Sequence, residues 1–152
     1  MMKFEKTMGL YSQDSVGYTL NIFQKNHKNY FNSELAECGL NLIQAVCLMV
    51  ISENKQFNQK DLADELHLTK GAITKSIKKL EKEGWITRKR LPEDKRNYIL
   101  ELTKKGESAI PKFHEIKTQW ESKMNINELS DEFIETLKNL SLKSVELNTK
   151  LE

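Results

Sequence analysis

The 152-residue sequence contains few of the residues that build disulfide-bonded, turn-rich or membrane-spanning proteins. It has two cysteines, two prolines and six glycines, and its longest apolar run, from Ala45 to Ile51, is seven residues. A membrane-spanning helix needs about 20 apolar residues, and the amino terminus also lacks the apolar core of a signal peptide. Cys38 and Cys47 have no CxxC spacing, which argues against a zinc site or a disulfide framework. We therefore expect a cytoplasmic, single-domain protein with reduced thiols.

Residues that perform catalysis are also scarce. The three histidines are far apart in the sequence, and there is neither a glycine-rich phosphate loop nor a group of side chains with metal-ligand spacing. Enzyme active sites are usually recognised by such groups. We therefore expect no enzymatic activity, no metal and no cofactor.

Charge is distributed unevenly along the chain, although the net charge is only +2. Residues 58–106 carry 13 basic and 8 acidic side chains, whereas residues 107–152 carry 6 and 9. All three arginines, Arg88, Arg90 and Arg96, lie in the basic segment. Arginine presents a planar fork of donors that lysine lacks. The basic segment is therefore a candidate functional region, and a merely solvated charged surface is the alternative explanation.

Apolar residues spaced three and four apart predict two helices in the first third of the chain. The first extends from Ser15 to Leu35. After a turn through Cys38 to Leu40, Asn41 and Gln44 form a predicted capping box that opens a second helix. This second helix is apolar on nearly all sides, so we expect it to be buried.

The next two helices form a predicted helix-turn-helix. Asn58 is expected to cap a short third helix that ends near Leu66, and His67 to occupy the turn, because histidine tolerates a positive φ. Thr69 is expected to cap a fourth helix that ends at Gly84. Two capped helices separated by about three residues are typical of this motif.

The segment after the fourth helix predicts a β-hairpin. Two stretches rich in β-branched and aromatic residues, Trp85–Arg90 and Asn97–Leu102, flank a turn over Leu91–Lys95 that contains a proline. An isolated two-stranded hairpin is only marginally stable, so it must pack against the helices. The hairpin is therefore the wing of a winged helix.

Two further helices complete the prediction. Thr103 is expected to cap a fifth helix with a kink or break near Pro111, and Ser130 to begin a sixth. The apolar stripes of the first and last helices exceed what a small core needs, which favours an apolar interface between two copies. The predicted fold class is mainly α: a winged helix-turn-helix with a two-stranded β wing and terminal helices that form a dimerisation region.

The fourth helix has one face suited to DNA. The 100° step of an α-helix places Ile73, Ile77 and Leu80 on its core face and most of its lysines opposite. The small Gly71 would permit close approach to a groove. The predicted base or phosphate contacts from this helix are Thr69, Lys70, Thr74, Lys75 and Lys78.

The wing adds further cations. Arg88 and Arg90 alternate along the first strand, so they share a face that can contact flanking phosphates. Arg96 is expected to enter the minor groove from the tip of the hairpin, held by Asp94 two residues earlier. With Lys95, these residues complete the predicted DNA-binding set.

Several of these motifs occur together in one known family. The sequence resembles the MarR (multiple antibiotic resistance regulator) family of winged helix-turn-helix transcriptional regulators over roughly residues 14–148. The wing motif at residues 92–96 (PEDKR), followed by LTKKG at residues 102–106, is the most specific part of the match. The segments at residues 35–41, 58–63 and 69–84 match in the same order. Pro111 departs from the usual pattern of the family.

The resemblance implies a homodimer with intertwined amino- and carboxy-terminal helices, each subunit offering one recognition helix and one wing. It divides the single domain, residues 1–152, into dimerisation helices at 1–36 and 107–152 and a DNA-binding lobe at 37–106. Members typically repress transcription, and many release DNA when a small phenolic or aromatic compound binds. By position only, the compound would contact His27, Tyr30, Met49, Phe113 and Trp120, for which core packing is the alternative.

The sequence thus predicts a repressor that binds a pseudo-palindromic double-stranded operator as a homodimer and is released by a small molecule. Two alternatives remain at this stage: a winged helix used for protein–protein contact, and a DNA-binding regulator without an effector. A redox-sensing role for Cys38 or Cys47 is also open, although no basic neighbour in the sequence supports a reactive thiolate. The operator, the effector, the regulated genes and repression as opposed to activation cannot be deduced from sequence.

Overall fold

In the computed structural model, residues 15–149 are described, apart from the side chains of Lys95 and Arg96. Within them the chain is mainly helical, with one two-stranded antiparallel sheet, as predicted. The described residues group into two compact units, divided between Val46 and Cys47. In chain order the elements are α1 (Val16–Leu35), α2 (Leu42–Glu53), α3 (Gln59–Leu66), α4 (Lys70–Lys82), β1 (Ile86–Leu91), β2 (Asp94–Leu102), α5 (Lys104–Lys123) and α6 (Asp131–Thr149).

The helices begin at the predicted caps. Asn41 and Gln44 form the capping box of α2, in which each backbone N–H donates to the other side chain at 2.9 and 3.0 Å. A second box before α3 pairs Asn58 with Asp61 at 2.8 and 3.0 Å. These boxes satisfy backbone N–H groups that have no partner within a helix. His67 adopts the expected left-handed conformation after α3, with φ of 51°.

The winged helix has its own apolar core. α3 packs against α4, and α4 packs against β1. Leu62, Ile73, Ile77 and Leu80 are completely buried there, and the helical period predicts this for the three residues of α4. Full burial of one such side chain contributes about 1.5–3 kcal/mol. This core holds the lysine-bearing face of α4 outward.

The wing is a hairpin with a shorter turn than predicted. Its strands pair from Ile86 opposite Leu102 to Arg90 opposite Tyr98, and Leu91 then pairs with Asp94. The turn itself is confined to residues 92–93. The predicted turn over Leu91–Lys95 was therefore too long. The register shift after Arg90 places residues 95–97 inside β2 as an irregularity, which a pairing pattern read from sequence does not reveal.

Pro111 does not break α5. This helix is continuous from Lys104 to Lys123 with the proline inside it, so the break expected from sequence is wrong. A proline removes one backbone donor, which here leaves the carbonyl of Glu107 without its helical partner. Glu107 is exposed, so water can replace that single hydrogen bond. Phe113 and Ile116, which follow the proline, are buried and hold the helix in place.

The terminal helices expose much of their apolar surface. α6 has no buried residue, and α1 buries only Phe31 and Leu35. Large apolar side chains that remain exposed on these two helices are Val16, Leu20, Ile22, Phe23, Phe133, Leu137, Leu140, Leu142 and Leu147.

Candidate nucleic-acid interface

α4 exposes all five of its lysines. Thr69 caps the helix by accepting a hydrogen bond from the backbone N–H of Ala72 at 3.2 Å. With Ile73, Ile77 and Leu80 turned into the core, the lysines on the other sides of the helix are all exposed. These are Lys70, Lys75, Lys78, Lys79 and Lys82. Space around Gly71 is open, which leaves the first turn accessible to a groove.

Thr74, a predicted DNA contact, also links α3 to α4. Its hydroxyl donates to the backbone carbonyl of Lys70 at 2.8 Å and accepts from the amide nitrogen of Gln59 at 2.6 Å. The Gln59 contact joins the start of α3 to α4, so it sets how the two helices of the motif lie against each other. Sequence reasoning missed Gln59, because a hydrogen bond across 15 residues leaves no local pattern.

The two arginines of β1 are held by neighbouring side chains. Arg88 donates to the carboxylate of Glu81 on α4 at 2.6 Å, with side chains that are 30% and 44% exposed. Arg90 donates to the Tyr98 hydroxyl at 2.7 and 2.9 Å and lies over its ring, 5.2 Å from the centroid. Such contacts orient a guanidinium while leaving some of its five donors for a ligand. The Arg88 pair also connects the wing to α4.

At the wing tip the carboxylate of Asp94 accepts a hydrogen bond from the amide of Asn97 at 2.7 Å. The predicted partner, Arg96, and the predicted contact Lys95 have side chains outside the described part of the structure. Their backbone lies in β2, just beyond the two-residue turn. Lys89, which sequence reasoning did not select, is exposed on β1 and faces Glu101 at 3.9 Å. The wing therefore carries a run of cations from Arg88 to Arg90 beside the α4 lysines.

The proposed effector residues differ in their exposure. His27 lies in an aromatic row on α1, with ring centroids 6.2 Å from Phe23 and 4.7 Å from Phe31, and its partial burial lowers its pKa from the usual value. Phe113 is buried, whereas Tyr30, Met49 and Trp120 are half-buried.

An open cavity of about 810 Å³ lies elsewhere, between the end of α2, the wing and the start of α5. Its apolar lining consists of Ile51, Leu91, Pro92, Ile99, Leu100, Leu102 and Ile110. None of the five residues predicted to contact an effector lines this cavity.

The two thiols differ in burial. Cys47 is fully buried, and desolvation raises the pKa of its thiol to about 12, so it stays protonated. Cys38 is half-buried and is not in a disulfide. Among residues 15–149, no group of three histidine, cysteine, aspartate or glutamate side chains could hold a metal ion.

Among the helices of residues 15–149, no single one is long and apolar enough to cross a membrane. Within the same residues, Val16–Cys38 and Leu42–Glu53 taken together reach the required length and hydropathy, but this pair is sharply bent at its break.

Known proteins resemble this chain in both sequence and fold. The sequence model described as the MarR family matches residues 40–98. The HTH-type transcriptional regulator BilQ of Clostridium symbiosum (strain WAL-14163) is 30% identical over 112 residues, which cover 74% of this chain and 78% of BilQ. Relatives of this kind are transcriptional regulators, not enzymes, as the sequence predicted.

Solved structures give the same result. A crystal structure of MarR is 30% identical, with a TM-score of 0.70 over 86% of this chain and 98% of MarR. The structure of the S. aureus MepR–DNA complex, at 21% identity, shares the fold, with a TM-score of 0.76 over 88% of this chain and 98% of MepR. The basic α4, the wing beside it and these similarities lead to one assignment. The chain belongs to the MarR family of transcriptional regulators, and its winged helix is a DNA-binding lobe.

Proposed function

We propose that this protein is a repressor that binds a pseudo-palindromic operator as a homodimer and is released by a small molecule. The observation that carries the proposal is the basic face of α4, which the Arg88–Glu81 pair connects to the wing. A recognition helix with such a face fits the major groove, and a wing beside it reaches the flanking backbone or minor groove. Residues 37–106 form the DNA-binding lobe in this proposal.

The site residues divide into two roles. Lys70, Lys75 and Lys78 are exposed along α4 and would neutralise phosphates or contact bases. Thr69, at the start of this helix, and Thr74, within it, would make further contacts of the same kind. In the wing, the oriented Arg88 and Arg90 would contact flanking phosphates, since each guanidinium keeps donors beyond those used by Glu81 and Tyr98. Arg96, with Asp94 and Lys95, would read the minor groove from the wing tip.

The dimerisation regions, residues 1–36 and 107–152, would form the interface. α1 and α6 expose leucine, valine, isoleucine and phenylalanine side chains that a monomer would leave in water. Monomeric proteins rarely expose large contiguous apolar patches, and obligate homodimers cover such faces with a second copy. A two-fold dimer would present two recognition helices, which matches an operator with inverted symmetry.

The effector would be a small phenolic or aromatic compound, and the cavity beside the wing is the candidate site for it. A volume of about 810 Å³ is in the range of small-molecule sites, and its walls are largely apolar. Because both β1 and the start of α5 line this cavity, a bound compound would bias the position of the wing. Salicylate is a suitable probe: release of DNA would support an effector, and unchanged DNA binding would favour a constitutive regulator.

In vitro selection tests the central proposal. The full-length protein would be incubated with a random duplex library, and the enriched site would then be footprinted, alongside the DNA upstream of its own gene. We expect an inverted repeat with half-sites about 10 base pairs apart, both protected. Enrichment of a site without inverted symmetry, or protection of a single half-site, would contradict the dimeric repressor.

A further inference from the structure

The first turn of α5 binds the end of the recognition helix through three successive carbonyls. The ammonium of Lys105 donates to the carbonyl of Glu83 at 2.9 Å, and the hydroxyl of Thr103 lies 2.6 Å from the carbonyl of Gly84. The backbone N–H of Thr103 donates to the carbonyl of Trp85 at 3.1 Å. These carbonyls follow the last turn of α4 and lead directly into β1. One short segment of α5 therefore holds the junction between helix and wing.

Gly106 allows this close approach. A Cβ atom at this position would lie 2.4 Å from the backbone carbonyl oxygen of Trp85, and 3.3 Å from the Leu102 side chain. Carbon atoms do not approach a backbone oxygen so closely, so any larger residue would push α5 away from the junction. The backbone N–H of Gly106 in turn donates to the Thr103 hydroxyl at 3.2 Å. The spacing of the LTKKG motif is thus explained by contact with Trp85.

Lys105 and Trp85 form the outer part of the same contact. The Lys105 ammonium lies 4.2 Å from the centre of the Trp85 ring, a distance at which a cation is attracted to the ring face. Trp85 is only 6% exposed, and its indole N–H is buried with no hydrogen-bond partner among the described residues. An unpaired buried donor is costly, so the position of this ring must be enforced by its surroundings.

We propose that Thr103, Lys105 and Gly106 are positioning residues for DNA binding. They form a latch, defined as these three residues and the carbonyls of residues 83–85, that fixes α4 and β1 against the dimerisation helix α5. The inference rests on the proposed homodimer, in which the latch of each subunit would set the separation and angle of the two recognition helices. One base pair is about 3.4 Å along DNA, so a small shift at the latch changes the preferred half-site spacing.

Lys105→Met is the main test, because it removes the ammonium and keeps a side chain of similar length. Lys104→Met is the matched control: Lys104 is an exposed lysine of the same helical turn and has no partner among the contacts of the described residues. Lys105→Arg should retain the cation over Trp85 and rescue function. Gly106→Ala is a second, stronger variant that pushes α5 away from Trp85.

Each variant would be measured on the selected operator and on operators with one base pair added or removed between the half-sites. Dimer content, urea unfolding and binding to non-specific DNA would be measured in parallel. Lys105→Met should weaken binding to the selected operator about 2- to 30-fold and reduce the preference for its spacing. Dimer content, the salt dependence of non-specific binding and the Lys104→Met control should stay at wild-type values.

The fluorescence of Trp85 gives an independent readout, since the only other tryptophan can be changed to phenylalanine. In that Trp120→Phe background, Lys105→Met should alter the Trp85 emission while the protein stays dimeric. Full operator affinity and unchanged spacing preference in both Lys105→Met and Gly106→Ala would overturn the latch. A loss of operator binding that is explained entirely by the fraction of unfolded protein would also overturn it. A wild-type protein that selects no inverted repeat would instead overturn the proposed dimeric repressor and the spacing effect with it.

Discussion

The winged helix buries its apolar side chains, whereas the terminal helices leave many of theirs exposed. In the winged helix, Ile73, Ile77 and Leu80 are completely buried within one chain. On α6, Leu137 and Leu140 remain 37% and 47% exposed, and no residue of that helix is buried. The first region is stabilised by its own core. The second has an apolar face that a single chain leaves in contact with water.

The two regions also differ in charge. The segment with the winged helix, residues 58–106, has 13 basic and 8 acidic side chains, whereas residues 107–152 have 6 and 9. Excess positive charge favours DNA, and a mildly acidic segment does not compete for it. In the proposed dimer, the basic region would contact DNA and the other region would contact a second copy. Variants in each region should therefore fail in different assays.

The largest effect is expected from charge on the apolar face of α6. Leu137→Asp combined with Leu140→Asp should convert the dimer into monomer or aggregate and abolish specific DNA binding, because a buried interface does not tolerate unpaired carboxylates. Sedimentation at micromolar concentration and operator binding measure the result. Asn139→Asp adds a negative charge to another side of the same helix and should leave both unchanged. A double variant that remains a fully active dimer would remove α6 from the interface.

Shortening a core side chain of the winged helix should instead lower the free energy of unfolding. Ile77→Ala removes part of a completely buried side chain and should lower the free energy of unfolding by about 2–5 kcal/mol. Urea unfolding at several protein concentrations measures this loss, which should be similar at each concentration. If the loss disappeared at high protein concentration, Ile77 would contribute to association rather than to the core.

Changes at the wing tip should weaken DNA binding without altering the dimer. Arg96→Ala is expected to cost roughly 1–3 kcal/mol of operator binding, since a minor-groove arginine is lost. Asp94→Ala should reproduce part of this loss by releasing the arginine. Binding is to be measured at one fixed salt concentration, with Lys112→Ala, an exposed cation of α5, as the control. Wild-type affinity in Arg96→Ala would refute the wing assignment.

Lysines of α4 should give a smaller and less specific effect. Lys75→Ala and Lys78→Ala should each reduce the slope of log affinity against log salt by about one if the side chain meets a phosphate. Operator and non-specific DNA should weaken together. An unchanged slope would show that the lysine is merely solvated.

The smallest effect concerns His27 in the aromatic row of α1. Burial lowers the pKa of His27 in the folded state, so the unfolded state binds a proton more readily. The contribution of His27 to the free energy of unfolding is therefore complete above about 6.5, the pKa of histidine in the unfolded chain, and is lost as the pH falls below that value. His27→Gln should flatten this decrease in urea midpoint between neutral and mildly acidic pH, and His114→Gln, at an exposed position, is the control. A decrease as steep in His27→Gln as in the wild type would contradict the assignment.

Local features of this fold could be predicted closely from sequence. The capping box at Asn41, the caps at Asn58, Thr69 and Thr103, and the positive φ of His67 all lie where expected. Each depends on atoms within three or four residues, so the bonding geometry is encoded in a short stretch. The inward face of α4 was predictable for the same reason, because helical period alone selects Ile73, Ile77 and Leu80.

Short stretches of sequence were enough to predict which segments fold into helices and strands, and which of them carry positive charge. Packing between distant segments was needed to pair Arg88 with Glu81, to place Gln59 against Thr74, and to keep α5 continuous through Pro111. It also brought Gly106 against the Trp85 carbonyl, 21 positions earlier in the chain. The two kinds of contact differ in how far apart their residues lie along the chain. Caps and periods act between near neighbours, whereas these contacts form only after packing brings distant segments to within a few ångströms of each other.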